Sequence, residues 1–142
     1  MYAAAENRTA AQAQYGRYQQ QSAMTASPGE LTLMLYDGCI KFMKQARMYM
    51  EDKNIEKASN ACIRAQDILS EFMATLDMSF EISHNLYNLY DFIMRCVIQA
   101  NLKKDPEMLE TPISMVTELR DTWQQAIKLN RMQTAAQGGY HQ

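Results

Sequence analysis

Apolar residues return every three or four positions in four blocks of this chain, the period of helices that each bury one face. The first block follows Ser27-Pro28-Gly29-Glu30. A Ser cap, a proline at the first helical position and a Glu three residues after the cap make a capping box, so a helix starts there and runs to about residue 51. Its apolar residues fall on two stripes: Leu31, Leu35, Phe42, Ala46 and Tyr49, and beside them Leu33, Tyr36, Ile40, Met43 and Met50. One stripe is enough to join a bundle. Two make a wider arc than one interface needs, so either this helix lies deep among several neighbours or part of its surface is a groove.

Asn54 is placed to cap a second helix reaching about Leu76, with Ala58, Cys62, Ala65, Leu69, Phe72 and Leu76 facing inward. Asp77 to Ser79 form a turn. A third helix runs from about Phe80 to Lys103; Ile82, Leu86, Leu89, Ile93, Val97 and Ala100 are its main stripe, widened by Tyr87, Tyr90, Met94, Ile98 and Leu102. Asp105-Pro106 repeats the cap-then-proline signal and opens a fourth. Pro112 either kinks that helix or divides a short lead-in from a main helix over 112–129, whose apolar face is Ile113, Val116, Leu119, Trp123 and Ile127. Short connections make consecutive helices antiparallel. The fold class expected is all-α, an up-down-up-down four-helix bundle.

The bundle is expected over residues 25–130. Residues 1–24 read as a flexible N-terminal segment able to dock as a short helix, since Tyr15, Tyr18 and Ser22 share one helical face. Residues 131–142 read as a disordered C-terminal tail. An internal echo is present: Leu35-Tyr36-Asp37 returns as Leu89-Tyr90-Asp91, and Gln45-Ala46 as Gln99-Ala100 at the same offset. It marks either two related helical hairpins or a coincidence.

Composition narrows the function classes. With 142 residues the chain makes one domain. Five Gly, three Pro and few β-branched residues argue against a sandwich or an α/β fold. A net charge of −2 gives no strong field for nucleic acid or an anionic membrane. The N-terminus lacks an apolar signal region, and no window approaches the roughly 18 apolar residues of a membrane span. Cys39, Cys62 and Cys96 are far apart and fall among apolar helical positions, which reads as reduced thiols in a cytoplasmic protein.

Catalytic signatures are missing. Glu81-Ile82-Ser83-His84 matches the Glu-x-x-His element of di-iron bundles once, but that chemistry needs a second such pair, and the other histidine, His141, lies in the tail. No phosphate loop or nucleophile elbow appears. Lys41, Lys44 and Arg47 read as a solvated basic face. The expectation is therefore no enzyme, no metal and no cofactor. Methionine is the unusual residue: 12 in 142 is about three times ordinary usage. Met fills irregular core gaps, and it also suits surfaces that accept varied partner side chains. A wide apolar arc rich in Met suggests a helix-in-groove or wrapped-segment binder.

Three blocks then carry a family resemblance. Tyr15-Gly16-Arg17-Tyr18-Gln19, Met24-Thr25-Ala26-Ser27-Pro28-Gly29-Glu30-Leu31 and Met34-Leu35-Tyr36-Asp37-Gly38 form the first. Asn85-Leu86, Leu89-Tyr90-Asp91-Phe92, Gln99-Ala100-Asn101-Leu102 and Asp105 form the second, and Leu119-Arg120-Asp121-Thr122-Trp123 the third. Together, in order and over about residues 15–129, they resemble the flagellar export chaperone FliS family. The connection Met78-Ser79-Phe80-Glu81 is shorter than many members have, and Pro112 is not typical of the family's last helix.

The resemblance implies a cytoplasmic, non-enzymatic chaperone that binds flagellin's disordered C-terminal segment, prevents premature polymerisation and, when flagellin-loaded, engages the flagellar type III export gate. It also implies that the segment carrying Tyr15 and Tyr18 competes for the same surface. Helical phase assigns Leu31, Leu35, Leu86, Leu89 and Trp123 to the core, and Leu33, Tyr36, Ile40, Met43, Tyr87, Met94 and Ile98 to the partner groove. No nucleic-acid partner and no membrane insertion are expected. The alternatives are a generic helical adaptor for another amphipathic partner and a metal-binding bundle.

Overall fold

The structure is a computed structural model that describes residues 26–140, with the side-chain surroundings of 26–137. The expectations for residues 1–24, Tyr15 and Tyr18 among them, lie outside the described residues. The described chain forms α1 (Pro28–Glu51), α2 (Ile55–Thr75), α3 (Glu81–Lys103) and α4 (Glu110–Tyr140), with a 3-10 turn over Pro106–Leu109, and it contains no strand. Consecutive helices pack as neighbours and α4 returns to α1, which closes the expected four-helix bundle.

The starts of α1, α2 and the 3-10 turn are each held by a side chain that the sequence places there, whereas α3 begins after Phe80 without a side-chain cap. Ser27 Oγ accepts from Glu30 N at 3.2 Å, and the Glu30 carboxylate accepts from Ser27 N at 3.5 Å, completing the capping box. Asn54 Oδ1 accepts from Lys57 N at 3.2 Å, and Asp105 Oδ1 from Glu107 N at 3.0 Å. Between α2 and α3, Asp77 Oδ1 accepts from both Ser79 N and Ser79 Oγ, forming the turn. The end of α1 is closed by a Schellman pair: Asn54 N donates to Tyr49 O, and Lys53 N to Met50 O. That motif holds Lys53 at φ 62°, a conformation usually filled by glycine.

Of the two alternatives for Pro112, the separated lead-in is the one adopted. The division falls at Leu109 and Glu110, and Pro112 sits fully buried in the first turn of α4, where a missing N–H costs no helical bond. The boundary expected at residue 131 needs correction. Helix α4 continues to Tyr140, and residues 131–137 are helical and exposed. Arg-Met-Gln-Thr-Ala-Ala-Gln contains no breaker, so nothing local stops the helix before Gly138.

The core is built from small residues as much as large ones. Met43, Leu69, Ile93, Val97, Leu109 and Val116 are fully enclosed, while Ala46, Ala58, Cys62, Ala65 and Ala100 let the helix backbones approach. At its centre Phe72 lies between Tyr36 and Tyr90, with ring centroids 4.6 and 5.3 Å away. The two tyrosine hydroxyls share a buried hydrogen bond of 2.5 Å. These tyrosines stand 54 positions apart, and the buried α1 residues Tyr36, Cys39, Met43 and Ala46 recur at that offset as Tyr90, Ile93, Val97 and Ala100 of α3. The echo is thus structural on α1 and α3, which bury the same positions of the repeat.

Candidate partner-binding surface

The structure divides the residues assigned to the groove into three groups. Tyr36, Ile40 and Met43 are buried core side chains, which corrects their assignment to a partner surface: in the folded chain no partner reaches them. Leu33 is half-buried on the flank of α1 that carries Gly29 and Asp37, and these two meet α4 through Trp123 and Arg120. Tyr87, Met94 and Ile98 lie on α3, where Tyr87 is 40% and Ile98 37% exposed and Met94 is half-buried. The stripe assigned to the core is also displaced outward. Leu31 is exposed, and Leu35, Leu86, Leu89 and Trp123 are only partly covered.

Tyr87, Met94 and Ile98 share one surface, and its register can be stated. Ser59 Oγ of α2 donates to Asn101 Oδ1 of α3 at 3.2 Å. Residues seven apart lie on one side of a helix, so Tyr87 and Met94 share the flank of Asn101, and Gln66 and Met73 the flank of Ser59. With the two helices antiparallel, that bond sets Gln66 opposite Met94 and Met73 opposite Tyr87. Ile63, 48% exposed one turn along from Ser59, and Ile98 widen the seam. It runs about 20 Å, from the level of Ser59 to that of Met73, at 1.5 Å per residue. The Arg95–Asp91 pair beside it is an exposed i,i+4 ion pair of little energetic weight.

The α2–α3 seam is therefore long, mostly neutral and Met-lined, a surface suited to the apolar face of a helix or extended segment. Met43 and Met50 are core, while Met73, Met94 and Met115 are only partly covered. On the opposite side, α1 and α4 are joined by polar clasps: Trp123 Nε1 donates to Gly29 O at 2.8 Å, Arg120 pairs with Asp37 at 3.0 Å, and Arg131 pairs with Glu30.

Burial pushes the Cys39 thiol up to about 12 and the Cys62 thiol to about 11, so neither is a ready nucleophile. Glu81 and His84 are both exposed at the start of α3, and no three metal-ligating side chains converge among the described residues. No helix of the described chain is long and apolar enough to cross a membrane.

Comparison with known proteins agrees with this architecture. A family model described as flagellar protein FliS matches residues 10–130. A protein named flagellar secretion chaperone FliS from Bacillus subtilis (strain 168) is 42% identical over 125 residues, spanning 88% of this chain and 94% of its own length. Proteins of the same name from Vibrio cholerae and Escherichia coli K12 are 34% and 30% identical, over 80% and 89% of this chain and 85% and 93% of theirs. A crystal structure of a flagellar chaperone from bacteria shares the fold, with a TM-score of 0.67 at 19% identity over 80% of this chain and 94% of that one.

Proposed function

The chain belongs to the FliS family of flagellar secretion chaperones, and on that premise we propose that its export substrate is flagellin, bound in the cytoplasm through flagellin's disordered C-terminal segment. Binding covers apolar faces that would otherwise drive premature polymerisation. The loaded complex then engages the flagellar type III export gate. The observation that carries this reading is the α2–α3 seam, where Tyr87, Met94, Ile98 and Ile63 leave apolar surface open along one face of the bundle.

A disordered segment orders itself as it binds, and that cost keeps a large apolar contact reversible, as a carrier that must release its cargo requires. Leu33 is a further contact candidate on the α1–α4 side, and Tyr15 and Tyr18 belong to a segment proposed to compete with the cargo.

Titration calorimetry against the C-terminal segment of the same organism's flagellin tests the proposal. One-to-one binding with a negative heat-capacity change is expected. Ile98→Glu or Tyr87→Ala, both at exposed positions, weakens it by about tenfold or more with the fold intact. A folded chain that fails to bind the segment, with and without residues 1–24, overturns the flagellin reading in favour of a helical adaptor for another partner.

A further inference from the structure

Helix α4 changes character along its length. Its first two turns enter the core, where Pro112 and Val116 are fully enclosed and Ile113 is buried. From Thr117 to Gln137 no residue is buried, and Leu119, Trp123 and Ile127 reach the bundle only half-covered. The step falls at Thr117, whose hydroxyl donates back to Ile113 O at 2.7 Å. A threonine bonded to the carbonyl four residues earlier weakens and bends a helix, so α4 has a hinge where its core contacts end.

What holds the lower part of α4 is polar and lies near the surface. Trp123 Nε1 donates to Gly29 O, Arg120 pairs with Asp37, and Arg131 pairs with Glu30, which is also the acid of the α1 capping box. The Arg120 and Asp37 side chains are 33% and 53% exposed, those of Arg131 and Glu30 64% and 42%, so each pair contributes little on its own. Packing beneath the last clasp is incomplete: a cavity of about 650 Å³ lies between Pro28 and Gly29 of α1 and Asn130, Arg131 and Thr134 of α4. On its other flank α4 meets α3, the loosest of the four neighbouring pairs of helices.

We infer that α4 beyond Thr117 is a strap, which leaves α1 as one unit about the Thr117 turn while α1, α2, α3 and the start of α4 stay folded. With no buried residue on the strap, its opening costs the three clasps and the half-covered faces of Leu119, Trp123 and Ile127, and leaves the core whole. Opening uncovers the flank of α1 that carries Leu33 and frees Gly29 and Glu30 at the start of that helix. Two of the three clasps are charge pairs, so the position of the strap responds to charge and salt at Asp37 and Glu30. Strap opening needs no cargo and holds whichever partner the α2–α3 seam takes.

Native-state hydrogen exchange of the full chain, read residue by residue by NMR in water and in dilute urea, tests the strap. A helix detached from its neighbours is only marginally stable in water, so strap amides exchange once it opens. Amides from 119 to 130 are expected to share one protection level, about a hundredfold or more below that of the buried amides of α1 and α3. Their protection responds weakly to urea, because opening exposes little surface, whereas that of the core amides falls steeply. Arg120→Gln combined with Arg131→Gln removes both ion pairs and leaves the capping box in place. Strap exchange in that variant is expected to rise about three- to tenfold, and strong salt does the same to the parent chain.

Three results overturn the inference. Strap amides as strongly protected as those of α3, with the same urea response, mean that α4 leaves only when the whole bundle unfolds. Protection that declines steadily from 119 to 130 is fraying of a helix end and not the opening of a unit. Exchange that neither the double variant nor salt accelerates shows that the ion pairs do not hold the strap.

Discussion

The paired hydroxyls of Tyr36 and Tyr90 allow a sharp test of how the two hairpins are joined. Both side chains are buried, their oxygens are 2.5 Å apart, and no buried side-chain polar atom among the described residues lacks a partner. Changing either tyrosine to phenylalanine leaves the other hydroxyl with neither water nor a protein partner, at a cost of about 1–3 kcal/mol. Changing both removes donor and acceptor together. The remaining rings still stack on Phe72 and differ from the originals by one atom each, so the double variant loses only about 1 kcal/mol or less. The two single costs therefore do not add: the coupling is about 1–5 kcal/mol in the pair's favour. Urea unfolding of all four proteins, followed by far-UV circular dichroism, measures it provided the slopes agree. Each single variant is expected to melt several degrees lower, at roughly 3–5 °C per kcal/mol for a domain of this size. Additive losses, or single variants within about 0.5 kcal/mol of the parent, would refute the reasoning.

Three further outcomes follow from the geometry. Cys39 titrates near 9.0 when unfolded and is pushed up to about 12 by burial; below pH 9 it is protonated in both states, and above that the unfolded chain loses its proton first. Stability then falls by about 1.4 kcal/mol per pH unit from this thiol until the folded value is reached, and Cys39→Ala makes the alkaline limb of a pH–stability curve shallower, a result that an unchanged limb contradicts. Lys53→Gly, at the exposed left-handed position after α1, raises stability by about 0.5–1 kcal/mol despite glycine's entropy in the unfolded chain, as read by thermal melting. Trp123→Phe removes the 2.8 Å bond to Gly29 O, whose carbonyl remains free to accept within α1, and costs about 1 kcal/mol by the same measurement.

Element ends and element phase were not equally legible. Ser27, Asn54 and Asp105 mark helix starts because each satisfies a backbone N–H that the helix itself leaves open, and local chemistry of that kind is written in neighbouring residues. Phase depends on what lies across the helix. On α1 the two stripes are about equally apolar, and weighing large side chains sends Tyr36, Ile40 and Met43 to the surface, whereas the bundle buries them. The deciding signal is where the charges stand. Asp37, Lys41 and Lys44 occupy one side of α1, and the residues opposite include Cys39 and Ala46, both fully buried because close helix packing favours small side chains at its centre. Glycine and proline likewise outweigh polarity at the C-terminus: without a breaker before Gly138, the polar run after residue 130 stays helical.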